Sequence, residues 1–339
     1  MLQLKNHTPF VGEILVAPDP QGIDSLYTVM KGTFLLGEEL IVADKQVPIT
    51  LSDEYHGEPG KSSLKRASDL ELLKPGTDVL LQGKAYALGG KPVTRLDVSL
   101  AVGPIRKTIR VYGDRMWGFG LSDAMSEPEP FVEMPLVWER AFGGTDHKKG
   151  NPAQPYAENR NPVGTGFRAP GGQKTLSGMM LPNLEDPTAL ISSPKDHPPP
   201  AAFAPICPDW EPRRGYAGTY DQHWQEHSMP YLPADFDARF FQLAPKDLVV
   251  PGFLTGHETV VVQGVSPRGS LQFSLPGCRV SATYHLDRKK YELPMNLDAL
   301  ILEPDDSRIQ LVWRTAFACD KKTLRIREVE VRMVSGVAA

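Results

Sequence analysis

The residues whose spacing points most directly to chemistry lie in YDQHWQEHSMP, residues 220–230. HWQEH reads as H-x-x-E-H, the zinc-binding pattern of the inverzincin peptidases. On a helix, His223 and His227 stand four residues apart on one face, so two ring nitrogens can reach one zinc ion. Glu226 between them has the chemistry of a general base for a metal-bound water. A third ligand is required, and Glu303 follows 76 positions after His227. The local context argues against such a site. Gly218 and Pro230 confine the helix to barely two turns, and a helix that short depends on packing. Asp221 can cap it. Glu303 precedes Pro304-Asp305-Asp306, a turn. The plainer expectation is an amphipathic turn with Trp224 packed inward. His223, Gln225, Glu226 and His227 are then wholly or partly in water, and no metal or cofactor is expected. His147 and His257 have no metal spacing.

Other catalytic patterns are missing from the sequence: there is no G-x-S-x-G elbow and no G-x-x-x-x-G-K-[ST] phosphate loop. The acidic pairs Asp235/Asp237 and Asp305/Asp306 have the residue types of a glycosidase, but sequence gives no distance between carboxylates. Capping and ion pairing are their simpler roles. Cys207, Cys278 and Cys319 are far apart and odd in number, which predicts three reduced, mostly buried thiols. Richer are the clusters that put Arg and a carboxylate beside aromatic rings: Arg115 with Trp117, Trp138 with Arg140, and Asp237 with Arg239. With Asp221 and Trp224 they form a candidate structural or partner-binding set, because guanidinium groups stack on rings and carboxylates hold them there. A carbohydrate-binding sandwich is a further reading. It requires Trp117, Trp138 and Trp210 exposed in a row on one face.

These residues need elements to position them, and composition says which kind. The 339 residues carry 41% apolar and 23% charged side chains, with a formal net charge of -4. That is a globular composition with ample length for a core. The basic runs Lys148-Lys149 and Arg288-Lys289-Lys290 are too short for a phosphate-binding patch, so no nucleic-acid partner is expected. No apolar run approaches the roughly 20 residues of a membrane helix. MLQLKNHTPF lacks the apolar core of a secretory signal, so a cytoplasmic protein is expected.

Of 32 prolines, 19 fall between residues 121 and 245, where long helices and central strands are thereby disfavoured. The flanks consist of short runs rich in Val, Ile, Leu, Thr and Tyr, broken by turn residues at about ten-residue spacing, which predicts antiparallel strands. In LRIREVEVRMV, Leu324, Ile326, Val329 and Val331 nearly alternate with Arg and Glu, so one face should meet a core. Val93, Leu96, Val98 and Leu100 break perfect alternation, which allows a bulge or a two-sided strand. Helix candidates are residues 62–73, residues 135–142 and DFDARFFQLA, the last capped by Asp235. The expected architecture is mainly β: an N-terminal β lobe over 1–120, an irregular Pro-rich segment with short helices over 121–245, and a C-terminal β lobe over 246–335, each lobe a sandwich or barrel-like sheet. Whether the two lobes share one core is left open.

The same clusters carry a resemblance. The run from Lys74 to Trp117, together with FVEMPLVWERAFGG, NPVGTGF, LPNLEDP, FAPICPDWEPRRGYAGTYDQHW and LPADFDARFFQLAPKDL, resembles an uncharacterised-domain (DUF) family encoded in bacterial type VI secretion loci. The resemblance runs from about residue 5 to 330. It implies a non-catalytic adaptor or chaperone that binds a toxin effector in the cytoplasm and helps load it onto the spike proteins VgrG and PAAR. In GTYDQHW the positions that match are Gly218, Thr219, Tyr220, Asp221 and Trp224. His223 and His227 are not among them, and no catalytic residue is implied.

Overall fold

A computed structural model of the chain describes residues 2–37, 39–118, 124–146, 156–169 and 176–335 in full, and the backbone alone for 147–151 and 154–155. The side chains of His147, Lys148 and Lys149 lie outside the described residues. As expected, the protein is mainly β. The strands that matter here are, in chain order, β1 (Gln3–His7), β2 (Val11–Pro18), β3 (Asp24–Leu35), β4 (Gly76–Leu81), β5 (Arg95–Val102), β6 (Ile105–Tyr112), β7 (Leu184–Glu185), β8 (Val249–Pro251), β9 (Thr259–Gln263), β10 (Leu271–Ser274), β11 (Arg279–Leu286), β12 (Lys289–Pro294), β13 (Asn296–Glu303), β14 (Arg308–Ala318) and β15 (Ile326–Ser335). One α-helix is described, α1 (Gln222–His227).

Three sheets carry the architecture. The largest has the order β8-β4-β13-β14-β3-β2, and the short strand Ile41–Val42 also pairs with β3. The second has the order β7-β6-β5-β9-β10, and the third β1-β15-β11-β12. Each sheet mixes strands from both ends of the chain. In the largest, β14 runs antiparallel to β3 from Arg308 opposite Leu35 to Ala318 opposite Ser25. The expected boundaries at 120/121 and 246 therefore do not separate two β bodies. The reason is visible in β3, where every residue from Ser25 to Phe34 is buried. A strand covered on both faces needs a partner on each edge, and the C-terminal flank supplies one. One continuous core results, containing Leu26, Leu80, Val98, Val260, Tyr284, Leu300, Trp313 and Val329. The sheets are also not purely antiparallel. β4 and β13 pair in parallel, as do β1 and β15.

The three helix candidates do not form α-helices. Over residues 62–73 the chain makes a short strand, Leu64–Arg66, paired with Glu54–Tyr55. Asp69 takes the Thr50 amide at 2.7 Å and the Lys31 ammonium at 2.8 Å. Such tertiary bonds to side chains override a modest helix propensity. Residues 135–142 hold a single 3-10 turn, Trp138–Arg140, anchored by the buried Trp138. Ala238–Phe241 is also a 3-10 turn, capped by Asp237 through the Arg239 amide. Asp235 instead accepts from the Thr219 amide and hydroxyl. No bulge interrupts β5: Val98, Leu100 and Val102 alternate inward, and Val93 lies before the strand, opposite Phe131. Leu324 precedes β15 and is 97% exposed, whereas Ile326, Val329 and Val331 point to the core. All three cysteines are buried thiols. Among the described residues, no helix is long and apolar enough to cross a membrane.

The middle segment contributes interior surface as well as loops. Residues 201–207 are buried throughout, and the Trp138 indole N–H donates to the Pro205 carbonyl at 2.9 Å. A proline-rich stretch packs this way because its carbonyls can still accept although its prolines cannot donate.

Candidate functional site

The H-x-x-E-H residues occupy the exposed surface of α1. Asp221 caps the helix as expected, accepting from the Trp224 amide at 2.9 Å. Trp224 is half-buried; its indole donates to the Tyr231 carbonyl at 2.9 Å and Tyr220 packs against its ring. The His223 and His227 rings stack at 4.4 Å, and His227 Nδ1 bonds the His223 carbonyl. Glu226 accepts from Gln222 at 2.8 Å. Among the described residues, His223, His227 and Glu303 do not bring ligand atoms within reach of one ion. Glu303 is buried at the end of β13, where it accepts from Gln310 at 2.6 Å and from Arg308 and Arg66. Burial works to raise its pKa, but the Arg308 bond, with Gln310 and Arg66, holds it below the usual carboxylate range. It is a structural ion-pair acceptor, held away from the two histidines of the H-x-x-E-H alternative.

The row of tryptophans required for a sugar platform is absent. Trp117, Trp138 and Trp210 are 6%, 3% and 3% exposed. Trp138 and Trp210 meet edge to face in the main core, whereas Trp117 belongs to a second small core with Phe142, Leu176, Leu181 and Ile191. The Arg-aromatic set does not converge on one place either. Arg115 is buried against Glu185, donates to the Pro182 carbonyl at 2.9 Å and lies over the Tyr112 ring. Arg140 bridges Asp114 and Asn183 near the surface. Arg239 pairs with Asp237 and covers the Tyr216 ring at 4.4 Å.

Two members of that set, Trp138 and Arg239, line a feature that local sequence patterns do not reveal. A groove of about 870 Å³ runs between the second sheet and the middle segment. Pro187, Pro199, Pro200, Pro212 and Pro245 line it, with Trp138, Ala201 and Ile206 beneath. A second hollow of about 380 Å³ adjoins it through Ile206, Pro212 and Lys246, and is lined further by Tyr216, Arg239, Val249 and Pro251. One wall of the groove is strand β6, through Arg106, Lys107 and Thr108. β6 pairs with β5 along its whole length, but on its other edge β7 covers only Arg110 and Val111. The edge of β6 from residue 105 to 109 carries no strand among the described residues.

The rim is charged. Lys107 bonds Asp247 at 2.9 Å, and burial pushes the Lys107 ammonium below its ordinary pKa against the pull of that carboxylate. Asp97 receives two bonds from Arg110, and Arg160 is held by Glu158. Arg106 and Lys246 are exposed and form no ion pair among the described residues. The proline excess over 121–245 was the sequence signal for this lining. The strand that forms its wall lies outside that segment, so only the fold brings the two together.

Fold and groove together define a mainly β protein with a strand edge lacking a partner strand, among the described residues, beside a proline-lined channel. The chain belongs to DUF2169, a family described as an uncharacterized protein conserved in bacteria, whose model matches residues 21–314. No curated protein matches the chain, and no solved structure does.

Proposed function

We propose that this bacterial protein is a non-catalytic, cytoplasmic adaptor of type VI secretion. It binds an extended segment of a toxin effector and helps load that effector onto the VgrG and PAAR spike proteins. The observation that carries the binding part of this reading is the edge of β6 along the proline-lined groove, which over residues 105–109 has no partner strand among the described residues. An exposed strand edge is a template for an added strand: backbone bonds supply affinity and neighbouring pockets supply selectivity. The prolines and Ile206 offer apolar surface to the incoming side chains, while Arg106 and Lys246 favour a segment with acidic residues. The resemblance to proteins encoded in type VI secretion loci supplies the kind of partner.

The test is affinity purification of the full chain from its native bacterium, with mass spectrometry of what it retains. The expected result is recovery of an effector or spike protein by the unaltered chain, and loss of that protein by Thr188→Trp, which fills the groove from an exposed lining position. Recovery of neither class of protein overturns the reading.

A further inference from the structure

The strands that open and close the chain carry a group of side chains suited to a metal ion, far from α1. On the outer face of the third sheet, β1 contributes Lys5 and His7, β15 contributes Glu328, Glu330 and Arg332, and β11 contributes His285. Cross-strand register sets His285 directly opposite Glu328 and Lys5 opposite Glu330, so these residues share one face. Val329, Val331, Ala282 and Tyr284 face the core on the other side.

The atoms are arranged around the imidazole of His285. Its Nδ1 lies 3.6 Å from Glu328 Oε1, and its Nε2 lies 3.7 Å from Glu330 Oε2. One ligand atom from each of His285, Glu328 and Glu330 lies within 4.8 Å of the other two. Zinc ligands sit about 2.1 Å from the ion, so ligands in a tetrahedron are about 3.4 Å apart. Small side-chain rotations close that difference. The outer oxygens of both carboxylates are already held. Lys5 Nζ lies 2.5 Å from Glu328 Oε2, while His7 Nε2, at 3.2 Å, and Arg332 both contact Glu330 Oε1. Lys290 also faces this group from β12. These side chains orient the carboxylates and leave Glu328 Oε1 and Glu330 Oε2 turned to the ring, the arrangement that outer partners impose on metal ligands.

An independent observation points to a missing partner. His285 Nε2 is buried and makes no hydrogen bond to any described residue. A buried ring nitrogen without a partner calls for a water or an ion.

We infer that His285, Glu328 and Glu330 form a binding site for a divalent transition-metal ion, with His7 and Lys5 positioning the two carboxylates. Mixed imidazole and carboxylate ligands suit zinc or a neighbouring first-row ion. The site ties β1, β15 and β11 together, so its consequence is structural and is independent of the adaptor reading.

The experiment uses the full chain, stripped with chelator and titrated with zinc chloride by calorimetry, with bound zinc measured and melting followed by circular dichroism. The expected result is about one zinc per chain, a melting temperature that climbs with zinc, and affinity about tenfold or more weaker in His285→Gln. His223→Ala/His227→Ala should bind as the unaltered chain does. Glu328→Gln, at a partly exposed position, serves as the second variant should His285→Gln fail to fold. Absence of zinc binding overturns the site, and so does affinity unchanged in both His285→Gln and Glu328→Gln.

Discussion

Lys74 donates to Asp78 at 2.7 Å with both side chains shut away from water. The pair ties three parts of the chain together. Asp78 opens the core part of β4 and also accepts the amides of Leu243 and Ala244, at 3.0 and 3.2 Å. Lys74 lies 3.6 Å from Asp298 on β13, and Asp298 accepts from Arg314 on β14 at 2.9 Å. Desolvation works against the Lys74 charge, but Asp298, Asp78 and Glu71 outweigh it and raise its pKa.

Asp78→Ala should therefore be among the most damaging single changes. It leaves a buried ammonium short of a partner and two buried amides without acceptors. Breaking a buried pair from one side costs about 3–5 kcal/mol. Chemical denaturation should show a loss of unfolding free energy of that size, read as a lower midpoint at unchanged slope.

Glu71 adds a pH dependence to the same interior. Burial pushes its carboxyl up to about 7, against the pull of Lys74, Arg213 and Arg314. A raised folded-state pKa contributes stability that is complete below the unfolded value of 4.5 and is lost as pH climbs through 7. The loss amounts to about 3 kcal/mol across that window. Glu71→Gln should flatten this part of the stability profile and be the more stable protein at pH 8. Melting curves at half-unit pH steps from 4.5 to 8 check it.

Groove charge gives a prediction about binding. Arg106→Glu with Lys246→Glu alters two exposed residues that hold no ion pair among those described, so the melting temperature should stay within a degree or two. Affinity for an acidic partner segment should fall on the order of tenfold, mostly through slower association and with a weaker salt dependence. Calorimetry and stopped-flow mixing, at low and high salt, separate these effects.

Asp221→Ala tests the role of α1. Losing an N-cap costs about 1 kcal/mol locally. The helix is short and exposed, so amide exchange at Trp224 and Gln225 should quicken while the global midpoint holds. His223→Ala and His227→Ala should leave both unchanged.

Much of this fold was legible along the chain and little of it across the chain. RVSATYHL, ETVVVQGV and RIQLVWRTAFA become β11, β9 and β14 because β-branched and aromatic alternation is a local property. Pairing is not local. Nothing near Asp24–Leu35 announces Arg308–Ala318 as its neighbour, so two apparent lobes proved to share sheets. Residues 62–73 looked helical until Asp69 was committed to Thr50 and Lys31. The same contrast separates the two groups of metal-type side chains. His223 and His227 share a recognisable spacing but stand in water, whereas His285 and Glu328 meet only through the register of β11 and β15.

The sharing of sheets also sets a timetable. β3, nearly all of it buried in the finished fold, leaves the ribosome well before its partner β14, which follows roughly 280 residues later. At about 5–20 residues per second, that interval lasts on the order of tens of seconds. Throughout it the nascent chain holds a strand made for burial with one edge unpaired, so its yield in a cell is governed by whatever shelters that strand until β14 arrives.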